Sequence, residues 1–418
     1  MYENISEIYK KTFNFIYNNI DEDITKLILN KNKIINKLNF NYSNISSDEE
    51  FNFAIEQIFV RKKFINKFPL LCKNFNFIFP PRLNCEQSSS EQTAKYKSNI
   101  IKDYKTSIDL TGGMGIDSMF FANKATNHLY YEINPTLCNI FKENIKNLNY
   151  NNIFITNSNS EIFLQKNKSN YFDLIYIDPD RRKNDQRHFL LNELRPNILN
   201  IKNNLLNIGT HILIKLSPMF DISKLENTLT NISEIHVISV ENECKELLVL
   251  LNQIKNNNIK YYAINLPKNY NILQQDAVYS SIIFTKNDIK EKIINYDLVQ
   301  KYLYEPNASL MKLACWNLIC RKYNLAKLHI NSHLFTSNNL INNFPGRKFE
   351  VIGIESLDSK KIFPYLDKTK KINLSIRNFP IQIEAIHKKL GTKDGGYIYI
   401  FATTTINNKL KLIITKKI

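Results

Sequence analysis

The stretch Ser107-Ile108-Asp109-Leu110-Thr111-Gly112-Gly113-Met114-Gly115-Ile116-Asp117 decides the fold. The apolar run from Thr106 to Leu110 reads as a buried strand, and it stops at three glycines within four residues. A helix-like segment, Ser118 to Ala122, follows at once. Strand, glycine turn and helix in that order let a backbone approach a nucleotide closely, because glycine has no Cβ to hold the ligand off. About twenty residues further on, a second apolar run, His128 to Tyr131, ends in Glu132. An acidic side chain there is placed to hydrogen-bond the hydroxyls of a ribose.

The spacing is not the dinucleotide fingerprint, which needs a third glycine where Ser118 stands. It fits an S-adenosylmethionine loop: an acid closing the first strand, Asp109, with glycines four and six residues later, Gly113 and Gly115. A tight turn packing a strand on a helix is the plainer explanation. Glu132, and Asp178-Pro179 at the end of a later strand, weigh against it. The fold expected is α/β: a Rossmann-like class I methyltransferase core with a seven-stranded, mostly parallel sheet. A helical N-terminal module precedes it and a small α+β C-terminal domain follows.

Working outward, strands are expected at 106–110, 128–132, 153–156, 173–178 and 210–215 with helices between them, which makes a parallel sheet. Asn157-Ser158-Asn159-Ser160 is a polar turn at the edge that meets adenine in this fold, so Asn159 is expected to bind the exocyclic amine. Runs at 235–240 and 247–251 finish the sheet as an antiparallel pair, joined by Asn242 to Glu246. Upstream, apolar residues recur at helical spacing and no glycine precedes Gly112, so residues 1–85 read as helices closed by Pro80-Pro81. Gln87 to Lys97 is a helix start with serine caps before Glu91. It is either a cap alone or a helix closing over the methionine end of the cofactor. Downstream of the core at 86–262, residues 263–325 include a helical Asn307–Lys322, and 326–418 are mostly extended with turn signals at 344–347 and 393–396.

A chain of 418 residues with 43% hydrophobic content has room for two or three domains. No apolar run approaches a membrane span, and Met1 to Lys10 lacks the shape of a signal peptide. Six scattered cysteines without C-x-x-C spacing and seven histidines in no metal-like or triad spacing argue for a reducing cytoplasm and against a metal site. The net charge of +17 suits a polyanionic partner, although most of the excess is lysine in a chain saturated with Asn, Lys and Ile. The arginines say more: four of nine fall between 181 and 195.

Methyl transfer from a sulfonium is an in-line displacement that needs alignment and dehydration of the nucleophile more than acid–base help. Asp178-Pro179 ends the fourth strand, where open α/β sheets place ligands, so Asp178 is the expected target-facing residue. Its alternative is a strand-end acid capping the next turn. Arg181, Arg182 and Lys183 follow; a guanidinium stacks on a base or forks onto phosphate, unless this is a solvated basic loop. Lys215 and Ser217 end the fifth strand on the same edge and are secondary candidates. Cys244 reads as a small packed residue and Cys315 to Cys320 as a buried helix face.

Together, Asp109 to Gly115, Ile177-Asp178-Pro179-Asp180-Arg181-Arg182 and Lys215-Leu216-Ser217-Pro218-Met219 resemble a bacterial family of class I S-adenosylmethionine-dependent methyltransferases. Its members carry a ferredoxin-like segment and a C-terminal THUMP-like domain. The stretches Gln87–Lys97, Asn242–Leu247, Tyr304–Ala308, Phe344–Arg347 and Arg377–Pro380 match it as well. More distantly, the core is similar to trimethylguanosine synthase and other RNA guanine methyltransferases, which also replace the first loop glycine, here Thr111. The resemblance implies S-adenosylmethionine held by Asp109, Thr111, Gly113, Gly115, Glu132 and Asn159. It implies RNA as substrate and Asp178, Pro179 and Arg181 at the target. Amino-methyltransferases usually follow the acid with two prolines and an aromatic; Asp180 and Arg181 stand in the last two places, which leaves the target atom open and offers Arg181 for stacking. Asn159 stands where aspartate is commoner. A non-catalytic RNA-binding or assembly protein with a retained cofactor site, and a protein or small-molecule methyltransferase, are the competing readings. Oligomeric state is not legible.

Overall fold

The computed structural model describes residues 5–35, 45, 47–167, 171–181, 190–254, 258–268, 280–290 and 295–418. The chain divides into two units. The first is Met1–Ser233 with Leu248–Asn256 and Tyr270–Ala277; the second is Glu234–Leu247 with Asn257–Asn269 and Val278–Ile418.

In the first unit, β1 (Thr106–Asp109), β2 (Asn127–Glu132), β3 (Ile153–Asn157), β4 (Phe172–Ile177) and β5 (Gly209–Leu216) are parallel neighbours in the order β3-β2-β1-β4-β5. Ile108 of β1 sits between Leu129 and Ile175, and such central strands are apolar on both faces because crossovers cover both sides. The order reverses at β1: β2 and β3 lie to one side, β4 to the other. In open α/β sheets ligands bind at such a switch point, outside the C-terminal ends of the strands, here β1 and β4. Asparagine-rich turns supply the helix starts. Asn134 caps Pro135–Asn147 and Asn197 caps Ile198–Ile208, each side chain accepting backbone N–H groups that the helix leaves free.

The N-terminal helices Ile5–Asn18, Ile24–Leu29, Lys31–Ile35 and Asp48–Phe64 form as the spacing predicts. Ser47 caps the last of them, with Asp48, Glu49 and Glu50 in its first turn and Arg61, Lys62 and Lys63 in its last, matching the helix dipole at both ends. Arg61 is buried and donates to the carbonyls of Leu71, Cys72, Asn74 and Phe77, which ties the following loop to the helix. Phe64, Phe68, Phe77 and Phe79 share one core with Met114, Tyr130 and Phe141, so the module packs on the back of the glycine loop.

The expected antiparallel pair is a hairpin of β6 (Ile232–Val240) and β7 (Glu243–Asn252). Its turn is Glu241-Asn242, both at positive φ as a two-residue type I′ turn requires. Residues 243–246, expected in the connection, therefore belong to a strand. The Leu248–Asn252 half of β7 follows β5 in the first unit's sheet. In the second unit β8 (Lys260–Leu266) runs parallel to β6, and β9 (Ser280–Thr285) antiparallel to β8. These two strands go beyond the seven expected. Both are short apolar runs, which periodicity does not separate from loops.

The remainder of the second unit is an eight-stranded sheet. Its strands are β10 (Tyr302–Pro306), β11 (Ala326–Lys327), β12 (Phe335–Ser337), β13 (Gly346–Glu355), β14 (Lys371–Arg377), β15 (Lys393–Asp394), β16 (Ile398–Thr404) and β17 (Leu410–Lys417). The order is β11-β12-β10-β13-β17-β16-β14-β15, antiparallel except where β14 meets β15 and β16. The single helix expected over Asn307–Lys322 is two, Ala308–Leu313 and Trp316–Tyr323, broken where Ala314 adopts the left-handed conformation. The buried helix face of Cys315, Ile319 and Cys320 is as expected.

Candidate active site

Asp109 closes β1 with its side chain buried. Ser118 Oγ donates to one carboxylate oxygen at 2.6 Å and the Thr111 N–H to the other at 3.0 Å. Burial nevertheless dominates and pushes the carboxyl up to about 7.

The three loop glycines do different work. A Cβ on Gly112 would lie 2.1 Å from the Tyr130 ring, and one on Gly115 2.1 Å from the Phe141 ring. Those two let the loop lie flat against β2 and the helix that follows it. Gly113 is the opposite case. It needs positive φ, +55°, yet a Cβ there would meet nothing nearer than the Thr111 carbonyl at 3.8 Å. Its outer face is open.

Glu132 at the end of β2 is tied to that loop. One carboxylate oxygen accepts the Gly113 N–H at 2.8 Å and the other the Asn134 N–H at 2.8 Å. Each oxygen keeps a lone pair, on a half-buried side chain. Asp178, just after β4, donates its N–H to Thr111 Oγ1 at 2.6 Å, and its carboxylate pairs with the Lys215 ammonium from β5. Burial raises the Asp178 carboxyl and Lys215 offsets part of the rise. Thr111 therefore bonds the acids of two adjacent strands, a task a glycine cannot perform.

The structure thus joins Asp109, Thr111 and Asp178 in one run of hydrogen bonds and Gly113 and Glu132 in another, on a single loop. Asn159 stands after β3 and caps Ser160–Lys166, its Oδ1 accepting the Glu161 N–H at 2.8 Å. Pro179 is buried. Asp180 and Arg181 form a short strand antiparallel to Leu194-Arg195. The Arg181 side chain, Arg182, Lys183 and Arg187 lie outside the described residues. Ser217 Oγ accepts the Met219 N–H in an exposed local turn, and Cys244 is a packed residue whose thiol donates to the Ala308 carbonyl.

Sequence reasoning missed a buried network beside this loop. Lys97, on the helix Glu91–Ser98, sits 2.9 Å from Asp117 and 2.5 Å from Ser89 Oγ. Ser89 Oγ and the Tyr176 hydroxyl donate to Asp117 at 2.7 and 2.8 Å. Burial works to raise the Asp117 carboxyl, but Lys97 and Lys215 together with the Ser89 hydroxyl outweigh it and hold it below its ordinary range. In sequence Lys97 looks like any solvated helix lysine; the only signal was Asp117 two residues past the last loop glycine. The whole site sets three carboxylates, Asp109, Asp117 and Asp178, against two ammonium groups. It is rich in acceptors and suits a cationic ligand or one that donates N–H.

Residues 99–237 match a family model described as Conserved hypothetical protein 95. Residues 302–345 match a ferredoxin-like domain and 346–417 a THUMP domain-like family. Over 100% of both chains the protein is similar to the crystal structure of a "putative methyltransferase" from Porphyromonas gingivalis W83, at 28% identity and a TM-score of 0.83. The chain has a class I methyltransferase core followed by ferredoxin-like and THUMP-like domains. An rRNA methylase from Streptococcus thermophilus is 14% identical over 39% of this chain and 94% of its own, with a TM-score of 0.30. The M. capricolum TrmK structure with S-adenosyl-homocysteine is 16% identical over 39% and 68%, with a TM-score of 0.31. Both likenesses are weak. No curated protein matches the chain at a significant level. The full-length likeness and the core family support methyltransferase activity. Among the described residues, no helix is long and apolar enough to cross a membrane, and no group of three or more His, Cys, Asp or Glu is placed to hold a metal ion.

Proposed function

We propose that the chain is a cytoplasmic S-adenosylmethionine-dependent methyltransferase that modifies a base nitrogen in RNA. The observation that carries this reading is Gly113: positive φ, an open outer face, and an N–H fixed on Glu132 at the end of the neighbouring strand. That is a cradle for a ligand rather than a packing turn. S-adenosylmethionine, when bound, supplies a methyl group activated by its sulfonium. Glu132 accepts ribose hydroxyls with its remaining lone pairs. Asn159 offers its Nδ2, because its Oδ1 already takes a backbone N–H. That donor suits an adenine ring nitrogen, and the second lone pair of Oδ1 remains for the exocyclic amine.

Asp178 then does the work at the target. Paired with Lys215, its carboxylate accepts an N–H of the base, holds the nitrogen lone pair in line with the methyl, and takes the proton which that nitrogen sheds. Arg181 is the stacking residue. The Lys97–Asp117 pair fixes the helix Glu91–Ser98 beside the loop and keeps water from the reacting centre. RNA is favoured by the THUMP-like family at 346–417 and by the net charge of +17.

The test is transfer of labelled methyl to total RNA, DNA and protein, with calorimetry of cofactor binding alongside. Label should enter RNA and fall roughly 100-fold or more in Asp178→Ala while cofactor affinity holds. Label in DNA or protein would remove the RNA assignment. Cofactor binding with no label in any fraction would favour the assembly-protein reading.

A further inference from the structure

Four sequence segments take no part in the core site: Asn242–Glu246, Tyr304–Ala308, Phe344–Arg347 and Arg377–Pro380. In the second unit they converge. Glu305 is buried and accepts from Arg347 Nε at 2.5 Å through one oxygen and from Arg377 Nη2 at 2.5 Å through the other. Gly346 permits this approach, since a Cβ there would lie 2.1 Å from the Glu305 carbonyl oxygen. Beside the ion triad is a cavity of about 500 Å³, whose walls include Asn242, Asn265, Asn307, Tyr323, Phe344 and Arg347.

Three of the four asparagines lining the cavity, Asn242, Asn265 and Asn307, define what it can hold. Asn242 Oδ1 accepts the Ala308 N–H at 2.7 Å, Asn265 Oδ1 the Asn242 N–H at 3.0 Å, and Asn307 Oδ1 the Leu310 N–H at 3.1 Å. A backbone N–H only donates, so these bonds fix each carboxamide's orientation, with the oxygen on the backbone side. Each NH₂ group is left over, and none of the three has a partner among the described residues. Arg347 adds a guanidinium whose Nη1 is not used by Glu305. Against these donors, Glu241 is the lining carboxylate, and it is exposed at the rim. One carboxylate ligand offers two oxygens, too few for three carboxamides and a guanidinium; a phosphate group offers more acceptors and matches the guanidinium's charge. The volume exceeds what a bare phosphate fills, and Tyr323 and Phe344 provide an apolar wall for a ring.

We propose that this cavity binds the phosphate group of a nucleotide, either free or within an RNA strand, through the carboxamides of Asn242, Asn265 and Asn307 and the Arg347 guanidinium. The site is separate from the core site and does not rest on methyl transfer. Asn242→Asp and Asn265→Asp test it cleanly: each keeps an oxygen for the backbone N–H but replaces the free donor with a carboxylate oxygen. Full-length protein and both variants are titrated with inorganic phosphate, adenosine 5′-monophosphate and a fluorescent single-stranded RNA of about twelve nucleotides, alongside thermal melting and S-adenosylmethionine binding. Affinity should fall about tenfold or more in each variant, with cofactor binding unchanged. Loss seen with the mononucleotide identifies a free-nucleotide site; loss seen with the oligonucleotide alone identifies a strand contact. If one variant melts early, the other carries the test. Equal affinity in wild type and a well-folded variant, or no binding of any probe to wild type at millimolar concentration, overturns the proposal.

Discussion

The polar cluster at the ends of β1 and β4 and the cluster around Glu305 have opposite characters. In the first, three carboxylates share two lysines, so acceptors are in excess. In the second, two arginines share one glutamate and three carboxamides have NH₂ groups without a partner among the described residues, so donors are in excess there. Buried charge is tolerated in both because each ion has partners, and an imbalance of one sign selects the ligand that can complete it. Both clusters depend on a glycine, Gly113 at the first for its positive φ and Gly346 at the second for its close approach to Glu305. Only Gly113 has its outer face open.

The contrast can be broken experimentally. The largest effect is expected from Lys97→Met, which leaves buried Asp117 with its hydroxyl hydrogen bonds and the charge of Lys215 but no directly paired cation; destabilisation of about 3–5 kcal/mol by denaturant titration is expected. Near-neutral stability would mean that the hydroxyls and Lys215 satisfy Asp117 without Lys97. Glu305→Gln leaves two guanidinium groups without their anion. Because both are about one-third exposed, a smaller loss of about 2–3 kcal/mol is expected, shrinking as salt rises. A loss as large as that of Lys97→Met would erase the difference between a dry cluster and a wet one.

The third effect concerns Asp109→Asn and is set apart by its dependence on pH. The folded carboxyl sits at about 7, above its ordinary 3.8. A raised carboxyl contributes stability that is complete at acid pH and is lost as pH rises through 7. The asparagine variant has no such loss, so its stability relative to wild type should improve between pH 4 and pH 8. A constant difference in melting temperature across that range would show that Asp109 is ionised throughout.

Much of the first cluster was legible because its signals are local. Asp109, Thr111, the glycines and Glu132 sit at a strand end, a positive-φ turn and the next strand end, features that one short window encodes. Asp178 was placed by the same reasoning. Its ammonium partner, Lys215, was visible only as a secondary candidate, and the Lys97–Asp117–Ser89 network was not visible at all. A lysine on a polar helix carries no mark of burial until the helix is packed. In the second unit, β8 and β9 and the break at Ala314 escaped for a related reason: short apolar runs and a single left-handed residue have no periodicity to betray them.

The sequence by itself determined the α/β core, the helical start, the glycine loop and the strand end that carries Asp178. Hydrophobic period and backbone stereochemistry act over a few residues and need no partner. The tertiary structure alone decided which charges meet: Lys215 reaches Asp178 across 37 positions, and Arg377 reaches Glu305 across 72. It also decided which side of each asparagine is spent on backbone and which is left to bind. Those outcomes depend on burial and on the geometry of packed strands, and no local pattern encodes either.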